Sequence, residues 1–482
     1  MNYKMIANLI GRILVLEAAF LLPAAGISLY YQETKSCQAI VISAVVTALF
    51  GVALMFIKAK NKNFYAREGY ISAALVWIVM SLFGALPFFL SAEIPSYIDC
   101  VFETISGFTT TGASILSNVE TLSKGLLYWR SFTHWVGGMG VLVFVLALQP
   151  MSRGSGQDVH LLRAESPGPV VEKLTPKMHQ SAKILYGIYI GMTLLQILLL
   201  LLGKMPVFDA VTTAFGTAGT GGFGVRVDSM ASYSHYIQTV VTIFMALFGV
   251  NFIIYYYILL GKPSQIFRNE ELRLYLFILL AATLLISFNT ISFYHSFPEA
   301  LHHSAFQVSS IMTTTGFATV DFNLWPQFSK CILLLLMIVG ASAGSTGGGI
   351  KVARLLLLGK YARCERKRIV SPREISLVRM DGKVVDDDIM REVNLYMTSY
   401  FAVIAASFLL ISLDNFDIET TISSVLACLN NIGPGLGLAG PMSCYEGFSN
   451  FSKLVLCINM LVGRLEIFPF LTLLAPSAWE RK

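Results

Sequence analysis

Ten apolar stretches, each of a length that can cross ~30 Å of hydrocarbon, recur along this chain. They lie near 7–30, 37–57, 70–91, 128–149, 184–203, 236–260, 273–294, 328–358, 394–413 and 452–475. A soluble fold could not hide so many. Of 482 residues only 13 % are charged, against ~25 % in soluble domains, and 55 % are hydrophobic. The expected fold class is an all-α polytopic membrane protein, and a soluble enzyme is excluded.

The first stretch carries Pro23-Ala24-Ala25, which has the look of a signal-cleavage region. Glu17 interrupts its apolar run and a second stretch follows at once, so a retained helix is expected. With the N-terminus inside, the inner segments are the two termini, 58–69, 150–183, 261–273 and 351–391. These hold 27 of the 35 Lys and Arg residues. That bias predicts ten spans with both termini cytoplasmic. The net charge of +6 follows the membrane and calls for no nucleic-acid partner. Seven scattered cysteines form no Cys-x-x-Cys pair, and the histidines no His-Glu-x-x-His spacing. His302-His303 reads as polar lining.

Four of the outer loops share one pattern. Each opens on an acid (Asp99, Asp209, Glu299, Asp417), runs through a short apolar segment and closes on small residues. The closing runs are Thr109-Thr110-Thr111-Gly112, Gly219-Thr220-Gly221-Gly222, Thr313-Thr314-Thr315-Gly316 and Asn430-Asn431-Ile432-Gly433. Gly112, Gly221, Gly316 and Gly433 recur between paired spans, an internal repeat. The expected organisation is two peripheral helices (1–60), then repeats at 70–150, 183–261, 272–360 and 392–476, with a cytoplasmic loop at 361–391. Each repeat is a span, a half-helix, a glycine turn and a second span.

A segment too short to cross the bilayer suits a re-entrant half-helix, tolerated where it is buried in protein or lines a wet cavity. An acid at its start suits the helix N-terminus, which leaves the partially negative end facing the turn. Glycine lets successive carbonyls turn the same way. Four such ends and four sets of carbonyls make a site for a dehydrated monovalent cation without any charged ligand.

Two further features lie inside spans. Gln327 to Lys360 would make one helix of about 50 Å, longer than the membrane needs. The run Gly344-Ser345-Thr346-Gly347-Gly348-Gly349 in its middle cannot hold a helix, and an unwound loop there can block or open a path. A nucleotide P-loop fits poorly, because Lys351 arrives one residue late and no soluble strand precedes it. Arg464 is expected near the middle of the last span, where a charge costs roughly 2.5–3.5 kcal/mol. Glu466, two residues on, does not share its helix face. Either a distant acid partners it, or it stands as a fixed positive charge in the ion path. At an effective dielectric of about 20 such a charge repels a cation by a few kcal/mol.

Three runs carry a family resemblance across essentially the whole chain: Phe102-Glu103-Thr104-Ile105-Ser106-Gly107-Phe108-Thr109-Thr110-Thr111-Gly112-Ala113, Gly344-Ser345-Thr346-Gly347-Gly348-Gly349-Ile350-Lys351 and Asn431-Ile432-Gly433-Pro434-Gly435-Leu436-Gly437. The sequence resembles the Trk/Ktr/HKT superfamily. Its two extra N-terminal spans resemble the TrkH-type subunit of bacterial Trk potassium uptake systems. The resemblance implies potassium held by backbone carbonyls around Thr110, Thr111, Gly112, Gly219, Thr220, Gly221, Thr314, Thr315, Gly316, Asn431, Ile432 and Gly433. It implies gating by Gly344, Ser345, Thr346, Gly347, Gly348, Gly349 and Arg464. It further implies a homodimer in the bacterial cytoplasmic membrane. Segments 150–183 and 361–391 would dock a cytosolic TrkA-like regulator, which would bind the nucleotide. The second strand is glycine-rich and the fourth lacks threonine, so strict potassium selectivity is not expected. A sodium- or proton-coupled symporter is the alternative, but it predicts two inverted halves rather than four same-sense units. An intramembrane enzyme lacks a nucleophile–base set.

Overall fold

The structure, a computed structural model, describes residues 2–57, 65–140, 178–374 and 376–479. The long apolar runs form helices, because in lipid each backbone polar group must be satisfied within its own segment. In chain order these are α1 (Tyr3–Tyr30), α2 (Thr34–Met55), α3 (Ala66–Gly84), α4 (Leu86–Leu90), α5 (Tyr97–Phe108), α6 (Lys124–Gly138) and α7 (Met178–Leu202). Then follow α8 (Val207–Ala218), α9 (His235–Phe248), α10 (Phe252–Leu259), α11 (Pro263–Arg268), α12 (Glu270–Tyr294) and α13 (Phe297–Met312). The last are α14 (Gln327–Ile338), α15 (Val352–Val370), α16 (Asp387–Ile411), α17 (Ile418–Leu429), α18 (Asn450–Arg464) and α19 (Phe468–Leu474).

Among the described residues, six helical stretches have the length and apolarity to cross a membrane: Tyr3–Tyr30, Thr34–Met55, Arg67–Leu90, Ala182–Leu202, Glu270–Tyr294 and Asp387–Asp414. The other four apolar stretches are interrupted. The sequence pattern marks this only for 328–358, where α14 and α15 flank a non-helical segment, 339–351. The stretch at 236–260 bends by 93° between α9 and α10. The one at 452–475 breaks where Glu466 and Ile467 take φ of 52° and 71°. Arg464 thus closes a helix instead of sitting in mid-span. In the stretch at 128–149, α6 stops at Gly138, and Gly140 has φ 79°; residues 141–149 lie outside the described residues.

These breaks satisfy one another. Ser342 N–H donates to the Gly249 carbonyl at 3.0 Å, and Phe252 N–H to the Gly344 carbonyl at 3.1 Å. Asn251 caps α10 through Ile253 N–H at 2.9 Å. Backbone groups freed at membrane depth therefore find protein partners.

In the segment between α15 and α16, Arg379–Met380 and Lys383–Val384 pair antiparallel around Asp381-Gly382, whose φ values are 50° and 82°. This is the two-residue turn that an Asp-Gly pair favours. Lys360 pairs with Glu270 and donates to the Arg379 carbonyl at 2.6 Å, so the hairpin ties α15 to the start of α12.

Candidate functional site: four turns against an interrupted helix

The short helices α5, α8, α13 and α17 all end in the same way. Each places a non-glycine residue in the left-handed region: Thr110 (φ 56°), Thr220 (53°), Thr314 (58°) and Asn431 (56°). Each closes with the same two hydrogen bonds. Thr111, Gly221, Thr315 and Ile432 N–H groups reach the carbonyls of Ser106, Gly216, Ser310 and Ala427, all at 2.8 Å. The preceding N–H groups reach Gly107, Thr217, Ile311 and Cys428 at 3.0–3.3 Å. This double closure usually takes glycine at the left-handed position. A β-branched threonine there is strained, and such strain gathers at functional sites.

Two residues after the left-handed residue comes a glycine of positive φ: Gly112 (79°), Gly222 (73°), Gly316 (88°) and Gly433 (97°). The second turn is therefore offset by one residue from the sequence expectation. Thr220-Gly221-Gly222 matches Thr110-Thr111-Gly112, and Gly219 is the helix cap, at φ −71°. Five glycines between 216 and 224 hide the register in the sequence.

The four turns meet in a closed ring. A methyl group built on Gly112 would overlap the Gly221 carbonyl oxygen, one on Gly222 that of Thr315, and one on Gly316 that of Ile432. One on Gly433 would come within 2.7 Å of the Thr111 oxygen. Each glycine Cα thus lies against the middle carbonyl of the next turn, and no side chain fits between. The expected residues Thr110, Thr111, Gly112, Thr220, Gly221, Thr314, Thr315, Gly316, Asn431, Ile432 and Gly433 all lie in this ring or its closures.

The acids that open the short helices are structural. Asp99 pairs with Lys453 at 2.7 Å, and Asp209 accepts the Tyr233 hydroxyl at 2.8 Å. Asp417 caps α17, and the Thr420 hydroxyl and amide hold its carboxyl below the usual range. Glu299 sits 3.7 Å from His303. Farther along α5, buried Glu103 pairs with Arg130 of α6 at 2.5 Å and accepts Ile115 N–H at 3.0 Å. Arg130 lies over the Phe223 ring at 3.4 Å and donates to the Gly224 carbonyl at 3.1 Å. This pair braces the first two turns from behind.

The segment 339–351 is pinched at its neck. Val339 and Ile350 bridge, and Gly340 N–H meets the Ile350 carbonyl at 2.9 Å. Its tip reaches the turns, where Gly348 N–H donates to the Thr314 hydroxyl at 2.7 Å. Lys351 donates to the Gly347 carbonyl inside the loop. Arg464 ties three parts together. It donates to the Thr346 carbonyl at 3.1 Å, to the Gly138 carbonyl at 2.9 Å and also to Gly137, while its Nη1 lies 3.4 Å from the Thr110 hydroxyl.

Sequence reasoning missed the other anchors. Glu271 Oε1 accepts the N–H groups of Ala343 at 2.6 Å and Ala353 at 3.2 Å, so one buried carboxylate holds both limbs of the loop. Glu466 pairs with Arg354 of α15 rather than with its neighbour Arg464. Arg354 follows the glycine block closely, which was an available signal; Glu271 lies beside Glu270 and Arg273 at the start of α12, and nothing in the sequence sets it apart.

Helices interrupted at membrane depth, with four helix ends converging on one carbonyl ring, define a polytopic membrane transport protein. The TrkH family, described as cation transport proteins, matches residues 36–481. The chain belongs to that family. It is 33 % identical over 490 residues to the Trk system potassium uptake protein TrkH of Salmonella typhimurium (strain LT2), with 100 % of both chains covered. The TrkH of Escherichia coli (strain K12) gives the same identity and coverage. The crystal structure of the potassium transporter TrkH from Vibrio parahaemolyticus matches with a TM-score of 0.90 at 31 % identity, covering 100 % of each chain.

Proposed function

We propose that this chain carries potassium into the bacterial cell through the ring of turns. Four pseudo-symmetric units, each a span, short helix, turn and broken second helix, surround one path, with α1 and α2 at its side. Those backbone carbonyls of Thr110-Thr111-Gly112, Thr220-Gly221-Gly222, Thr314-Thr315-Gly316 and Asn431-Ile432-Gly433 that face the path replace the ion's water. The single observation carrying this reading is the cyclic contact of each turn glycine with the next turn's carbonyl. The relatives' names supply the ion: potassium.

The loop 339–351 is the gate, with Gly344, Ser345, Thr346, Gly347, Gly348 and Gly349 at its tip. The chain works as a homodimer in the inner membrane with both termini cytoplasmic. A cytosolic TrkA-like regulator binds the nucleotide and docks on 150–183 and 361–391; residues 150–177 lie outside the described residues.

Uptake into vesicles holding the purified protein tests the function. Potassium-gradient-driven flux that needs no sodium or proton gradient is expected. Saturating uptake at fixed stoichiometry with either ion would replace this reading by the symporter. Arg464 is the barrier charge and also the tie between Thr346 and α6. Arg464→Ala should raise potassium flux several-fold with the potassium-to-sodium preference unchanged. A variant that inserts normally yet conducts less than wild type would give Arg464 a purely structural role.

A further inference from the structure

The four turns share one set of dihedrals but not one set of hydrogen bonds. Among the described residues the carbonyls of Gly112, Gly222 and Gly316 accept none. The Gly433 carbonyl accepts the hydroxyl of Tyr445 at 2.9 Å. Tyr445 is 2 % exposed and held from several sides. Its N–H donates to the Ser114 carbonyl at 2.8 Å, and its ring lies 5.6 Å from Phe102 and 5.1 Å from Phe448. The Cys428 thiol adjoins the same hydroxyl.

Ser114 follows the first turn and Gly433 ends the fourth. Tyr445 therefore bridges the one seam of the ring where chain ends, rather than consecutive repeats, meet. That seam is also the least tight. A methyl group on Gly433 would lie 2.7 Å from the Thr111 oxygen, still an overlap, while at the other three seams it would overlap the facing oxygen more deeply.

Resting on the reading of these turns as the ion path, we infer that Tyr445 sets ion preference by withdrawing the Gly433 carbonyl from the ion. At the level of the glycines, three carbonyls are then free and the fourth is spent on a hydroxyl. Selectivity for potassium over sodium depends on the number and field strength of coordinating carbonyls. The larger ion needs more ligands, so losing one carbonyl narrows the margin in favour of potassium.

The test is Tyr445→Phe in the full chain, reconstituted in planar bilayers, with permeability taken from reversal potentials under potassium and sodium gradients. A several-fold rise in potassium-over-sodium permeability is expected. Unchanged or lower selectivity overturns the inference. Thermal stability of the detergent-purified protein against added potassium chloride reports ion binding without flux. There the variant should reach its full stabilisation at several-fold lower potassium, and a wild-type titration overturns the inference equally. Gly222→Ala in the same bilayers separates the levels. If it conducts normally, the reading of the turns fails; if it is silent while Tyr445→Phe matches wild type, only the role of Tyr445 fails.

Discussion

Deleting Gly344–Gly349 is expected to raise potassium flux about tenfold or more, which needs only ~1.4 kcal/mol off the barrier. The cut removes the contact of Gly348 with Thr314, the carbonyl of Thr346 that Arg464 holds, and the Gly347 carbonyl that Lys351 holds. The neck need not open to allow it. Val339 and Ile350 are already bridged, and Gly340-Ala341-Ser342-Ala343 remains to join α14 to α15. Glu271 keeps its bonds to Ala343 and Ala353, so the shortened loop stays anchored. If a cytosolic regulator acts through this loop as proposed, flux should also lose its response to it, because the tip that would move is gone. Fluorescence-detected gel filtration establishes folding and rubidium uptake measures flux. A folded deletion variant with normal, regulated uptake would reduce the glycine block to a mere helix break.

The legible part of this protein is what periodicity and composition encode. Apolar runs of fixed length announce membrane helices, and the repeated acid, apolar segment and small-residue run announces four short helices with turns. The Asp381-Gly382 hairpin could be read because that dipeptide favours one turn type. The breaks at 249–251 and 465–467 were not legible, because the interrupting residues are few and apolar neighbours mask them. Only a tertiary partner makes such a break stable: Ser342 and Gly344 for the first, and for the second the Arg354 guanidinium on Glu466. The same holds for Glu271 and Tyr445. Each is a single polar residue whose importance lies in a carbonyl or amide that only the fold brings to it. Arg464 was found by its cost in the membrane, yet its position at a helix end follows from the break.

The second turn is the sharpest case, because its register rests on the backbone alone. Gly222→Ala is expected to abolish transport, with a loss of about a hundredfold, whereas Gly224→Ala should transport normally. At Gly222 the left-handed backbone costs a non-glycine residue roughly 1–2 kcal/mol. The new methyl group also overlaps the Thr315 carbonyl oxygen, and overpacking of that kind costs typically 1–3 kcal/mol more. Both penalties fall on the ring itself. At about 1.4 kcal/mol per tenfold, their sum reaches the expected loss. A methyl group on Gly224 would meet nothing closer than 3.5 Å, its φ is ordinary, and the carbonyl that Arg130 holds is untouched. Gly112→Ala should behave like Gly222→Ala, since it faces the Gly221 carbonyl in the equivalent way. Rubidium uptake per inserted protein decides between these outcomes. Normal uptake in Gly222→Ala would mean that this glycine does not belong to the ring, and the register drawn from the helix closures would be wrong.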